Sequence, residues 1–214
     1  MNPNPTFWRK SMNPIICFID DSKFEHELVR NEIAPCALHF QFVQAYTFDE
    51  ARSLLQNAAP ALFLLDLWGQ DNAVTNPQIT PMEDVLEKIA DFPTPADVYA
   101  GLNDVKGDVN NEYLKRFFAI VDSWRTLFES VCDKVGQNRK YGLSNLQQAR
   151  KVYPGVPAVF YTRKSLISDA VAMFKADADG LFIKPSGKTD DETHRLTREN
   201  APFLLKDLER IMVS

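Results

Sequence analysis

Four short apolar runs in this chain each reserve their polar residues for the C-terminal end. They are Pro14 to Asp21 (PIICFIDD), Ala61 to Asp66 (ALFLLD), Val156 to Thr162 (VPAVFYT) and Gly180 to Lys184 (GLFIK). Unbroken apolar runs of this length suit parallel strands covered on both faces. A weaker fifth run, His39 to Ala45, lies between the first two. The intervening segments change period. Ser22 to Asn31 carries Phe24 and Leu28, with Ile33 beyond, at helical spacing, and Thr47-FDEARSLLQNA opens with Thr47 as N-cap and Glu50 three residues on, the signature of a capping box. A further amphipathic helix is predicted from Gly142 to Pro154. Strands alternating with helices predict an α/β domain, a doubly wound five-stranded parallel sheet with helices on both faces. In such sheets the carboxyl ends of the strands line one crevice. Asp20, Asp21, Asp66, Thr162 and Lys184 are expected to meet there.

The alternation breaks between Gln70 and Lys140. Apolar residues there fall at helical intervals only: Met82, Val85, Leu86 and Ile89, then Leu114, Phe117, Val121, Trp124, Phe128, Val131 and Val135 in strict 3-4 alternation. The division this predicts is an N-terminal arm over 1–13, a main domain over 14–69 and 141–214, and an inserted α-helical subdomain over 70–140. Tyr113, Phe118, Ile120, Leu127 and Cys132 widen the apolar stripe beyond a coiled-coil seam. Packing against 82–92 and 95–105 is therefore the expected use of that face, and a dimer or partner interface is the other. A polar stretch from Ser186 to Glu199 is expected to precede a last amphipathic helix starting at Asn200, with Leu204, Leu208 and Ile211 on one face.

Composition narrows the functional classes. No run reaches the roughly 18 apolar residues of a membrane span. The arm has no apolar centre, so it does not read as a signal peptide, although its Phe7 and Trp8 could dock on the domain. Net charge is −5 and the basic residues are scattered, which argues against nucleic acid as a partner. Cys17, Cys36 and Cys132 lack CxxC spacing and are expected to be buried thiols in a reducing, cytoplasmic setting. His26, His39 and His194 show no zinc-ligand spacing.

Three carboxylates at neighbouring strand ends repel one another unless a hard cation neutralises them, and Mg2+ suits an all-oxygen site that retains waters. A carboxylate can also act as nucleophile toward phosphorus. The remaining work is electrostatic, and Lys184 and Thr162 are the right types to bind phosphoryl oxygens.

In these residues the chain resembles the response-regulator receiver family, CheY-like and flavodoxin-like in fold. The family's acidic pair, acceptor, hydroxyl and Lys-Pro read here as IDD (Asp20, Asp21), LLD (Asp66), FYT (Thr162) and IKP (Lys184, Pro185). The separations of 45 from Asp21 to Asp66 and 22 from Thr162 to Lys184 look like the family's, whereas the 96 from Asp66 to Thr162 does not. Subtracting a strand-helix-strand unit of about 30 residues leaves the insertion. The resemblance covers 13–69 and 141–185, with Ala176-DADGLFIKP its most recognisable phrase. It implies Asp66 as phosphoacceptor, Asp21 as direct Mg2+ ligand, Asp20 acting through water and the backbone carbonyl of Trp68 completing the protein's share of the metal shell. It implies Thr162 and Lys184 on the phosphoryl group, a histidine kinase or phosphotransfer protein as donor, and self-catalysed transfer and hydrolysis; an output through protein contacts is expected, with the apolar stripe of the insertion offering a homodimer as one route.

Three residues depart from the family pattern. Arg163 follows the hydroxyl where a small residue is usual, and Trp68 is bulky at a position that tunes dephosphorylation, so both are expected to slow water attack. Leu181 replaces the switch aromatic. Two other readings are a degenerate receiver that signals without phosphorylation and a haloacid-dehalogenase-like phosphatase. The latter needs an acid two residues beyond its nucleophile, where Asp20 is followed by Ser22 and Asp21 by Lys23.

Overall fold

The computed structural model describes residues 13–70, 78–163 and 167–213. The expectations for Phe7 and Trp8 and for the first turn of the insertion lie outside them. The chain divides into two compact units, one running up to Leu67 and resuming at Gly142, the other from Trp68 to Tyr141.

The first unit is built on strands β1 (Ile15–Ile19), β2 (Gln41–Ala45) and β3 (Leu62–Leu65). With them runs the helix α1 (Lys23–Leu28), then α2 (Phe48–Leu55). The second unit holds a short strand β4 (Gly69–Gln70), helices α3 (Met82–Ala90), α4 (Pro95–Tyr99) and α5 (Val109–Lys134), and a strand β5 (Gln137–Asn138). Helix α6 (Lys140–Val152) returns the chain to the first unit, which closes with β6 (Ala158–Thr162), α7 (Ile167–Lys175), β7 (Gly180–Ile183) and α8 (Asp190–Met212).

The large sheet has the order β2-β1-β3-β6-β7, parallel throughout. This is the flavodoxin-like winding 2-1-3-4-5 once the short β4 and β5 are set aside. The apolar runs form its central strands because both faces are covered: β3 and β6 are buried at every position. Ile16, Phe18, Leu62, Leu64, Val159 and Tyr161 pack on one side with Val29, Ile33, Leu204 and Leu208.

Several local details differ from the sequence reading. The turns after α1 widen into a π-helical segment, Val29–Ile33, and the buried face is Glu25, His26, Leu28, Val29, Glu32 and Ile33, with Phe24 at its rim. At α2 Thr47 caps the Glu50 N–H as expected, but the Glu50 carboxylate reaches one residue further back, to the Tyr46 N–H at 2.7 Å. Helix α8 starts at Asp190, capped by Thr189, ten residues before the expected Asn200, and carries Pro202 within it. Its first half is polar because it docks through charge: buried Glu32 takes hydrogen bonds from His194 Nδ1 at 2.8 Å and Arg198 Nε at 2.6 Å. The Arg198 hydrogen bond also holds the Glu32 carboxyl below the usual range. Cys17 and Cys132 are buried as expected, and burial pushes the Cys17 thiol up to about 12. Cys36 is exposed instead, in the 3-10 turn Ala34–Cys36 that leaves the core after α1.

The phrase DADG is structural. Asp179 Oδ2 accepts from Ala158 N–H and from Arg150, both at 2.6 Å, while Arg150 also donates to the carbonyls of Val156 and Asp177. One arginine thus pins the end of α6 to the start of β6 and β7.

In the second unit Gly69 pairs with Asn138 and Gln70 with Gln137, an antiparallel ladder that brings its two ends together. Asp108 caps α5, and Arg116 fixes it to α4 by donating to the Ala100 carbonyl at 2.6 Å. Tyr99 and Phe92 stack edge or tilt against Tyr113 and Trp124. The expected internal packing therefore exists, yet Leu114, Phe117, Phe118, Val121 and Trp124 stay about half exposed along α5.

Gly142 sets how closely α6 approaches β3. Its N–H donates to the Leu67 carbonyl at 3.1 Å, and a Cβ there would overlap the Asp66 carbonyl oxygen and the Leu67 backbone. Gly142→Ala is expected to cost about 1–3 kcal/mol through this overlap, a loss measurable by urea unfolding. Gly155→Asn, at a left-handed glycine with open space around it, should cost far less.

Candidate functional site

The sheet ladder continues one residue past three strand ends, and this fixes the backbone of the site. Asp20 N–H donates to Ala45 O at 3.1 Å, Asp66 N–H to Ile19 O at 2.9 Å, and Lys184 N–H to Thr162 O at 3.0 Å. His26 adds a brace: its Nε2 donates to the Asp20 carbonyl at 2.9 Å, and its Nδ1 lies 2.9 Å from Gln44 Oε1. The ring is wedged between Phe18 and Tyr46.

Asp20, Asp21, Asp66, Thr162 and Lys184 all stand at carboxyl ends of the parallel strands, as expected. Asp20, Asp66, Thr162 and Lys184 are buried, and Asp21 is partly open. Lys184 Nζ donates to Asp20 Oδ2 at 2.5 Å and to Asp66 Oδ1 at 2.9 Å, with the faces of Phe18 and Tyr161 within 6 Å of the ammonium. Burial works against the lysine's charge, but Asp66, Asp20 and Glu25 outweigh it and hold the ammonium above the ordinary lysine range. Asp66 is pushed up to about 7: burial is the main cause, Lys184 opposes it, and Asp20 and Asp21 reinforce it.

Sequence patterning missed Glu25. It is buried on α1, its Oε2 lies 3.7 Å from Lys184 Nζ, and its Oε1 accepts from Arg163 Nε at 2.7 Å. Arg163 also donates through Nη1 to the Pro185 carbonyl. The available signal was an acid in register with Leu28, Val29 and Glu32 on one helical face. Leu181 sits half-buried in β7 opposite Phe160. Trp68 is the first residue of the second unit, where its ring meets Phe128 edge-on at 5.2 Å.

A carboxylate oxygen from each of Asp20, Asp21 and Asp66 lies within 4.8 Å of the other two. That is an all-oxygen donor set with one partly open member, which fits a hard divalent cation that keeps waters. With the strand order, the acidic cluster and the lysine now in place, the architecture is decided. The chain has a CheY-like receiver fold with extra helices. No family model matches it, and no curated protein matches it. Among solved structures it is similar to a response regulator from Thermotoga maritima (13% identity, 95% of this chain and 100% of that one, TM-score 0.49). It is similar also to chemotaxis protein CheY4 of Vibrio cholerae (13%, 94% and 99%, 0.47) and to a CheY-like receiver domain protein of Methanospirillum hungatei (14%, 93% and 98%, 0.44).

The raised carboxyl of Asp66 makes the stability of the first unit pH-dependent. Its folded value, about 7, lies above the unfolded value, so the folded state binds more protons between them and loses stability as pH rises through that window. In metal-free buffer Asp66→Asn should raise the melting temperature at pH 8, and the gain should shrink toward pH 4.

Proposed function

We propose that this protein is a receiver of two-component signalling that accepts a phosphoryl group on Asp66 with Mg2+. The observation that carries the reading is the meeting of three carboxylates with Lys184 at the strand ends, one of them raised and shielded. Asp20, Asp21 and Asp66 would hold the metal, with the Trp68 carbonyl included on chain order alone. When bound, Mg2+ would neutralise charge on the phosphoryl oxygens. An Asp66 carboxylate oxygen attacks phosphorus, the bond from phosphorus to the donor breaks, and the leaving group departs with the electron pair. Thr162 would hydrogen-bond a phosphoryl oxygen, and Lys184 would follow the charge from carboxylate to phosphoryl group. A histidine kinase or phosphotransfer protein is the natural donor. Hydrolysis by water would return Asp66 and inorganic phosphate.

Acetyl phosphate with Mg2+ should give a labile adduct, seen by intact mass, that Asp66→Asn abolishes. An adduct that survives this substitution, or none with any donor, would favour a phosphorylation-independent interaction module. Turnover of a generic phosphomonoester, lost in Asp20→Asn and unchanged in Asp66→Asn, would instead support the phosphatase reading.

The output we propose is protein-protein contact through the second unit, including a homodimer. What supports this is the half-exposed row Leu114, Phe117, Phe118, Val121 and Trp124 on α5. Because β4 and β5 bring the ends of that unit together, replacing 72–138 by a short linker should leave a folded receiver that still takes phosphate but loses self-association or partner binding. Sedimentation of both proteins checks it.

A further inference from the structure

Glu25 is a buried acid at the site that the acceptor chemistry does not use. Its two oxygens face two cations: Oε1 takes the Arg163 Nε–H at 2.7 Å, and Oε2 lies 3.7 Å from Lys184 Nζ, the lysine bound to Asp66. The Arg163 guanidinium is otherwise half satisfied, since Nη1 donates to the Pro185 carbonyl and Nη2 is buried with no partner. Arg163 directly follows Thr162, the hydroxyl assigned to the phosphoryl group. A lysine and an arginine with one nitrogen to spare, both turned to one carboxylate, make an anion site with an internal anion in it.

We propose that Glu25 is a built-in stand-in for the phosphoryl group, holding Lys184 and Arg163 in the unmodified chain and displaced when Asp66 is phosphorylated. This rests on Asp66 being the acceptor. Charge bookkeeping favours it. Asp20, Asp21, Asp66 and Glu25 exceed Lys184 and Arg163 by two charges, which one divalent cation balances. Phosphorylation turns the single charge of Asp66 into nearly two, and one carboxylate becomes surplus. Glu25 is the one that is neither acceptor nor member of the three-carboxylate cluster. Its release frees Arg163 to offer Nη2 to a phosphoryl oxygen. It also loosens the start of α1, whose far end widens at Val29–Ile33 and is tied through Glu32 to α8.

The test uses the full chain with acetyl phosphate and Mg2+, following the initial rate of adduct formation by intact mass. Glu25→Gln removes the competing anion and should raise the rate about tenfold, the size of effect expected of one charge at this range. Glu27→Gln, which neutralises an acid of the same helix outside the network, should leave it unchanged. Damage to the fold would slow the reaction, so acceleration is not a structural artefact. A modified wild type with Glu25→Gln no faster, or Glu27→Gln equally fast, overturns the stand-in while the acceptor reading survives. A wild type that takes no phosphoryl group defeats both. As a readout independent of turnover, the Arg163 Nε–H resonance of the wild type should shift between the metal-free chain and the chain saturated with Mg2+ and beryllofluoride. An unmoved resonance also overturns the proposal.

Discussion

The buried ammonium of Lys184 is the constraint around which the site at the strand ends is arranged. It comes from the edge strand β7 and binds carboxylates at the ends of β1 and β3, so it ties together the ends of strands that are not neighbours. Two acids and a lysine removed from water would each carry a large desolvation cost alone, and removing the lysine from such a set costs about 3–5 kcal/mol, because it leaves the buried carboxylates without their cation. The ladder bonds at Asp20, Asp66 and Lys184, the His26 brace and the close approach at Gly142 all fix the backbone on which this set depends. The same concentration of negative charge that requires Lys184 makes the cluster suitable for a divalent cation, and burial raises the proton affinity of Asp66. Stability of the apo site and readiness for metal are therefore two faces of one electrostatic arrangement.

How far the sequence revealed this depended on whether a feature was written in hydrophobicity. The strands were legible because both faces of the sheet are covered, so IICFI, LFLL and AVFYT read as unbroken apolar runs whose polar ends had to converge. The partners packed through charge were not legible. Glu25 on α1 and Glu32 in the π-helical segment after it are both buried, each paired with cations more than a hundred residues away, and an apolar-periodicity reading moves the face toward Phe24. The first half of α8 reads as a polar connection for the same reason: its docking residues are His194 and Arg198, and the apolar period begins only after them. Cys36 illustrates the opposite error, a residue type that is usually buried placed on a turn that leaves the core.

The second unit shows where patterning stops being informative. Its heptad-like row correctly announced one long helix, and Phe92 packed edge-on against Trp124 does occupy part of it. Periodicity cannot say whether a neighbour in the same chain or another molecule covers an apolar row. In the structure the central stretch from Leu114 to Trp124 stays open to solvent by about half. A row of aromatic and aliphatic side chains left in that state is the kind of surface that protein contacts use.

Lys184 is the resident cation of carboxylates that also suit a divalent cation, and the two positive charges repel one another there. Calorimetric titration of Mg2+ into the wild type and into Lys184→Met, at equal low ionic strength and pH 8, tests it most directly. The account predicts that the variant binds Mg2+ more tightly, because the resident cation has been removed and the carboxylates remain. Affinity that is unchanged or weaker in a folded variant would contradict it.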